Sequence, residues 1–292
     1  MLSCYILRMS NQDIYYIDGE FVKASKAVIP VNDLALLRGY GVFDFLRTYG
    51  RKPFSVEEHI LRLKNSARLI GLPFPWKVDE VIGIVNQTLA RNHHAESNIR
   101  IIITGGPSND FITPGNQPRL LILVGELSHS PPEWYSRGVK VITVRGRRSI
   151  PGAKTINYLS ALVALETARA REAVEAISID RDGKVMEGQT ATVFAFIGER
   201  LVTNEEGILP GVTRELILRL TEPEFARKIR EITIDELLQA DEIFMTASNK
   251  EVFPVVMVDD TVISGGRPGP RTRRVMELFR DYTTRFAMEK LQ

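Results

Sequence analysis

Short apolar runs and segments of helical period follow one another along the whole chain, without the regular strand–helix–strand spacing that builds a doubly wound parallel sheet. That irregular mixing constrains the fold more than any other feature, and it predicts α+β or mixed domains. Ile14-Tyr15-Tyr16-Ile17 and Glu20-Phe21-Val22 flank Asp18-Gly19, which supplies the positive φ angles of a two-residue turn, so together they read as a β-hairpin. Residues 42–49, 99–104, 119–124, 139–144, 176–180, 193–197, 242–246 and 255–258 read as strands. Helices are expected over 55–70, 78–91, 160–171, 212–220 and 269–289. In the first, Ser55-Val56-Glu57-Glu58 has the form of a capping box. Ile60, Leu63, Ala67 and Ile70 recur there at core-facing spacing, and His59, Arg62 and Ser66 form a separate polar stripe.

The 292 residues are 44% hydrophobic and 25% charged, enough apolar material for one or two folded domains and too much for a disordered chain. The stretch from Glu126 to Glu133, with Pro131-Pro132, reads as a linker. The expected organisation is a small N-terminal α/β domain at 1–125, a linker at 126–135 and a larger C-terminal domain at 136–292. A net charge of +2 gives no electrostatic reason to expect nucleic acid or an anionic membrane as partner. Cys4 is the only cysteine, which excludes an internal disulfide framework and suits a reducing cytoplasm. With four histidines beside it, a structural zinc site is not expected either. The apolar run in residues 1–9 is cut by Arg8 and is too short for a signal-peptide core or a membrane span. Met9 precedes Ser10-Asn11-Gln12-Asp13 and could itself start the chain, so the first eight residues read as a dispensable extension.

Four segments carry residues suited to chemistry. Pro151-Gly152-Ala153-Lys154-Thr155-Ile156-Asn157-Tyr158 sets one lysine between a turn and an apolar helix, with no acid nearby in sequence. Held among apolar groups, such an amine can attack a carbonyl; in water it is an ordinary surface lysine. Val185-Met186-Glu187-Gly188-Gln189-Thr190 offers a carboxylate that could pair with a heterocyclic nitrogen, or stand as a strand-end glutamate in solvent. Ile208-Leu209-Pro210-Gly211-Val212-Thr213-Arg214 is a turn opening a helix, a place for a phosphate or simply for a Thr213 cap. Met245-Thr246-Ala247-Ser248-Asn249 brings hydroxyls and amides to a strand end or turn. No HExxH, GxSxG, Walker or GxGxxG pattern is present, and Gly39-Tyr40-Gly41 is only a fragment of the last. His93-His94 reads as solvated.

Taken in order, these segments resemble the fold-type IV pyridoxal-phosphate enzymes, or class IV aminotransferases. The family includes branched-chain aminotransferases, D-amino acid transaminases and aminodeoxychorismate lyases. The resemblance runs from about Ile14 to the C-terminal helix. It rests on Leu36-Leu37-Arg38-Gly39-Tyr40-Gly41-Val42-Phe43-Asp44, on His59-Ile60-Leu61-Arg62-Leu63-Lys64-Asn65-Ser66-Ala67 and on Lys154-Thr155-Ile156-Asn157-Tyr158. Glu187-Gly188 followed by Val193-Phe194, Leu209-Pro210-Gly211-Val212-Thr213-Arg214, Glu251-Val252-Phe253-Pro254-Val255 and Pro268-Gly269-Pro270-Arg271-Thr272 complete it. Each match alone is weak; the ordered set is specific.

The resemblance implies a two-domain fold with the active site between the domains, pyridoxal 5′-phosphate as cofactor, and a homodimer in which the neighbour completes the site. It makes Lys154 the lysine that joins the cofactor's aldehyde and moves the substrate proton. Glu187 then meets the pyridine nitrogen, Tyr158 the phenolic oxygen, and Arg62, Val212, Thr213 and Ser248 the phosphate. The implied reaction is ping-pong amino transfer between amino acids and 2-oxo acids. The Lys-x-x-Asn spacing of Lys154 and Asn157 is more like D-amino acid transaminases than branched-chain enzymes. Yet the loop Pro107-Ser108-Asn109-Asp110-Phe111-Ile112-Thr113-Pro114 lacks the Arg-x-His pair of the best-known D-specific type. Arg38 (reaching the neighbour's site), Arg100 and Asn249 are therefore the expected substrate contacts, with an interface role for Arg38 and a structural ion pair for Arg100 as the plainer readings. D-amino acid transamination is the favoured activity. An L-branched-chain aminotransferase, an aminodeoxychorismate lyase and a cofactor-binding protein without turnover are the alternatives.

Overall fold

A computed structural model describes residues 10–289; Cys4 and the stretch read as an extension lie outside the described residues. The chain divides into two compact units. Among the described residues, the first comprises 10–129, Gly152–Asn157 and 286–289; the second comprises Ser130–Pro151 and Tyr158–Arg285.

In the first unit, β1 (Ile14–Ile17) and β2 (Glu20–Lys23) form the expected hairpin, with Asp18 at φ 48° and Gly19 at φ 106°. Next come α1 (Leu34–Arg38), β3 (Gly41–Tyr49), β4 (Lys52–Pro53), α2 (Val56–Leu69), α3 (Val78–Ala90), β5 (Ser97–Thr104) and β6 (Arg119–Glu126). The strands make one antiparallel sheet in the order β2-β1-β6-β5-β3-β4. Ile60, Leu63 and Ala67 of α2 and Val81 and Val85 of α3 are fully buried in one cluster with Val42, Ile101 and Ile122 of the sheet. Each such isoleucine or leucine contributes about 1.5–3 kcal/mol, which fixes the face α2 presents.

Ser55 corrects the expected capping box. It sits at φ 49°, in the left-handed region, and its side chain caps nothing. A capping hydroxyl needs extended backbone at that residue. Glu57 and Glu58 in the first turn instead face the positive end of the helix dipole.

In the second unit, the expected linker prolines open α4 (Pro132–Arg137), where a proline at the first helical position sacrifices no hydrogen bond. The elements β7 (Val139–Arg145), α5 (Leu159–Ala170), β8 (Glu175–Ile179), β9 (Val185–Gly188), β10 (Thr192–Ile197) and β11 (Arg200–Thr203) come next. They are followed by α6 (Val212–Thr221), β12 (Ala226–Ile229), α7 (Ile234–Leu238), β13 (Glu242–Ala247), β14 (Glu251–Val258), β15 (Thr261–Val262) and α8 (Pro270–Met288). The sheet order is β12-β11-β10-β13-β14-β7-β8-β9, with β15 beside β14. β7 runs parallel to β8 and β14, while β10, β13 and β14 are antiparallel, so the sheet is mixed. Phe194 and Phe244 stack at 4.9 Å, both with no exposed surface. The hydrophobic pattern did not mark β11, β12 or α7. α7 carries a true capping box, Thr233 with Glu236.

Candidate active-site residues

The lysine segment belongs to the first unit and is pinned by its backbone. The Lys154 amide donates to Ser66 Oγ at 3.1 Å, and its carbonyl accepts from the Phe43 amide at 2.9 Å. Ile156 donates to the Gly41 carbonyl at 3.1 Å, and Thr155 bridges to Val42. Gly39, before β3, and Gly41, its first residue, make room for this. A Cβ on Gly41 would lie 2.7 Å from the Ile103 carbonyl oxygen and 2.9 Å from Ile156. Gly39, at φ 63°, would meet Asn157 at 3.3 Å. Lys154 is half-buried, and its Nζ lies 4.6 Å from the Phe43 ring centre. The amine thus lies over the apolar face of the Phe43 ring.

The polar stripe of α2 turns inward. Asp44, on β3, is completely buried and accepts Arg62 Nε at 2.9 Å on one oxygen. Its other oxygen accepts Arg62 Nη2 at 2.7 Å and His59 Nδ1 at 2.7 Å. Burial alone would push the Asp44 carboxyl up; the Arg62 and His59 partners more than offset it and hold the group well below the usual carboxylate range. Burial pushes His59 down, helped by Arg62 and Lys154 and opposed by Asp44. The neutral ring then carries its proton on Nδ1, toward Asp44. The 3.3 Å approach of Arg62 Nη2 to the same nitrogen is consequently a contact of two donors.

In the second unit Glu187 lies on β9 and is 6% exposed, which overturns the solvent reading. One of its oxygens accepts Arg148 Nε at 2.5 Å and the other the Leu209 amide at 3.3 Å. Burial opposes the charge on Arg148, but Glu187 and the Tyr158 hydroxyl together raise its pKa. Tyr158 opens α5, with its ring 5.9 Å from the Arg148 guanidinium carbon. Gly211, not Thr213, is the N-cap of α6, and no side chain caps that end. The first-turn amides around Val212 and the buried Thr213 therefore retain the character of an anion site. Ser248 and Asn249 are half-buried in the turn between β13 and β14, which closes with the Lys250 amide donating to Ala247.

The remaining expected residues are in the first unit. Arg38, at the end of α1, is exposed and donates to the Leu37 carbonyl at 3.0 Å. Arg100, on β5, has its guanidinium carbon 5.3 Å from the Phe43 ring and 5.8 Å from the Phe45 ring. No arginine or histidine enters the 107–114 loop, which Asp110 organises by accepting from Ser108, Ile112 and Thr113. His94 is not solvated: its Nε2 lies 3.1 Å from Asp13. No helix among the described residues is long and apolar enough to cross a membrane, and no cluster of metal-ligand side chains occurs among them.

A sequence model of the amino-transferase class IV family matches residues 41–258. The chain belongs to the class IV aminotransferases. Among similar members of the family, the D-alanine aminotransferase of Staphylococcus aureus is 31% identical over 91% of this chain and 96% of that one. The branched-chain amino acid aminotransferase of Escherichia coli superposes with a TM-score of 0.87 at 28% identity, covering 92% of this chain and 94% of that one. The T.th. branched-chain amino acid aminotransferase, solved with pyridoxamine 5′-phosphate, also gives 0.87 at 28% identity, over 94% of each chain. Relatives of this class IV aminotransferase thus include both a D-alanine and a branched-chain enzyme. Asp44 and Arg148 were missed as partners of the expected residues Arg62 and Glu187. The one available signal was the cost of a carboxylate inside the apolar run of β3.

Proposed function

We propose that this chain transfers amino groups from amino acids, D-amino acids by preference, to 2-oxo acids. As a class IV aminotransferase it uses pyridoxal 5′-phosphate. The donor set suits that cofactor: an amine for the aldehyde, a buried carboxylate for the pyridine nitrogen, and an arginine with an uncapped helix end for the phosphate. When bound, the cofactor supplies an aldehyde for amine exchange and a ring that draws electrons from the substrate Cα.

The observation that carries the reading is the pinned Lys154 amine against Phe43. Lys154 Nζ would take the proton from the substrate Cα and deliver it to the cofactor's former aldehyde carbon within the same half-reaction, the second half-reaction running that transfer in reverse. Glu187 holds a proton on the pyridine nitrogen, and Tyr158 donates to the phenolic oxygen. Arg62, oriented by Asp44, binds phosphate with Val212, Thr213 and Ser248. Arg38 of a neighbouring subunit, Arg100 and Asn249 receive the substrate carboxylate, where a guanidinium fork matches two oxygens.

Exposed Leu36, Val31 and Ile112 in the first unit, and Leu159, Leu162 and Val163 on α5 in the second, support a homodimer. A single cysteine supports a cytoplasmic address. The D preference rests on the Lys154–Asn157 spacing; the similarity to branched-chain enzymes favours L-branched-chain amino acids as the second reading. Incubation with D- and L-alanine, glutamate and leucine, following 2-oxo acid formation, separates the two. Faster turnover of L-leucine than of any D-amino acid would reject the first.

A further inference from the structure

Lys250 plays no part in the chemistry described above, yet it is one of the most tightly held cations in the second unit. It is 8% exposed, and its Nζ donates to Glu175 Oε2 at 3.0 Å and to Thr190 Oγ at 2.8 Å. Glu175, with no exposed surface, directs two further contacts to the turn after Glu187-Gly188. It accepts the Gln189 amide at 3.1 Å and the Thr190 hydroxyl at 2.5 Å, as well as its neighbour's amide, that of Ala176, at 3.1 Å. Gln189 adds side-chain bonds to the Ala176 carbonyl and to Ser178 Oγ. At the other end, the Lys250 amide closes the Ser248–Asn249 turn and its carbonyl accepts the Tyr135 hydroxyl at 3.1 Å.

Two segments of the second unit are thereby locked in register: the Ser248–Asn249 turn, and the turn that follows Glu187. An ion pair withdrawn from water holds a geometry more narrowly than an exposed one, because its alternatives leave a buried charge unmatched. We propose that Lys250 is a positioning residue, whose bond to Glu175 sets the spacing between Ser248–Asn249 and Glu187 and so tunes both cofactor and substrate affinity. The inference rests on the cofactor roles proposed for Ser248 and Glu187.

The charge-free pair Lys250→Met with Glu175→Gln removes the bond without stranding a buried charge. Pyridoxal phosphate is titrated into apoprotein well below the melting temperature and followed by intrinsic fluorescence. The expected Kd rises about tenfold or more in the double variant, since small displacements of binding groups carry large penalties. With the cofactor saturating, KM for the 2-oxo acid rises while kcat changes less. Lys250→Arg, which keeps the pair, restores Kd to within about threefold of the parent. A purely structural pair predicts a lower melting temperature with Kd and KM unchanged, and that outcome overturns the proposal. If the double variant fails to fold, Thr190→Val provides the same comparison, with a smaller rise in Kd expected and an unchanged Kd overturning it. A parent protein that binds no pyridoxal phosphate would refute the proposed function itself, a result distinct from a parent that binds it and variants that bind equally well.

Discussion

The two charged centres are built in opposite senses. In the first unit a carboxylate with no exposed surface, Asp44, gathers an arginine fork and a histidine, and both its oxygens are filled at 2.7–2.9 Å. In the second, Glu187 has one charged partner, Arg148, whose side chain keeps 20% of its surface exposed, and a single backbone donor at 3.3 Å. The first arrangement is over-determined and fixes where Arg62 points. The second leaves a carboxylate that can exchange partners when a ligand nitrogen arrives. In the proposed function, the difference separates a frame that would orient a binding group, Arg62, from a group, Glu187, that would itself meet the ligand.

The sharpest way to break this comparison is to remove the central carboxylate of the frame. Asp44→Ala strands a buried guanidinium and should cost about 3–5 kcal/mol in urea denaturation. Arg148→Met, at the more open centre, should cost only about 1–2 kcal/mol. Equal losses would erase the distinction. Next in size is the effect of Glu187→Gln, which keeps the shape but removes the charge proposed to hold the ring proton. Its kcat should fall by about 10²-fold, with the melting temperature nearly unchanged, as stopped-flow and steady-state kinetics would register.

Arg38→Ala and Arg100→Ala test the cations that stand outside the Asp44 frame. Each should lower kcat/KM for 2-oxo acids about tenfold, mostly through KM. Unchanged kinetics in both would return Arg38 to the surface and Arg100 to its aromatic contacts.

The smallest effect is a pH dependence. His59 is depressed below its ordinary value of 6.5, so below that pH the unfolded chain takes up a proton that the folded chain resists. Stability should be full above it and decline as the pH falls toward the folded pKa. Asp44 is depressed too, which adds a second loss as the pH falls below about 4. Equilibrium unfolding at a series of pH values should show both losses in the parent. His59→Gln should abolish the first and keep the second.

Much of this was legible in the sequence because it depends on local spacing. The α2 face, the β1–β2 turn and the helix that follows Lys154 all follow from period or turn chemistry. Ser55 escapes such a reading because capping depends on a φ angle that the segment Ser55–Glu58 does not itself dictate. The partners of the site were hidden for another reason. Arg148 reaches Glu187 across 39 positions, and Lys250 reaches Glu175 across 75, through sheet pairings with no local signature. Asp44 was inside a matched segment, but only its complete burial shows that it commands the stripe on α2.

The central claim is that Lys154 is the amine that joins the cofactor. Purified protein should be incubated with pyridoxal phosphate, reduced with borohydride and mapped by peptide mass spectrometry. The account predicts a yellow protein, bleached on reduction, with the pyridoxyl group on Lys154 and no colour in Lys154→Ala. A colourless protein that takes up no cofactor, or a label carried by a different lysine, would contradict it.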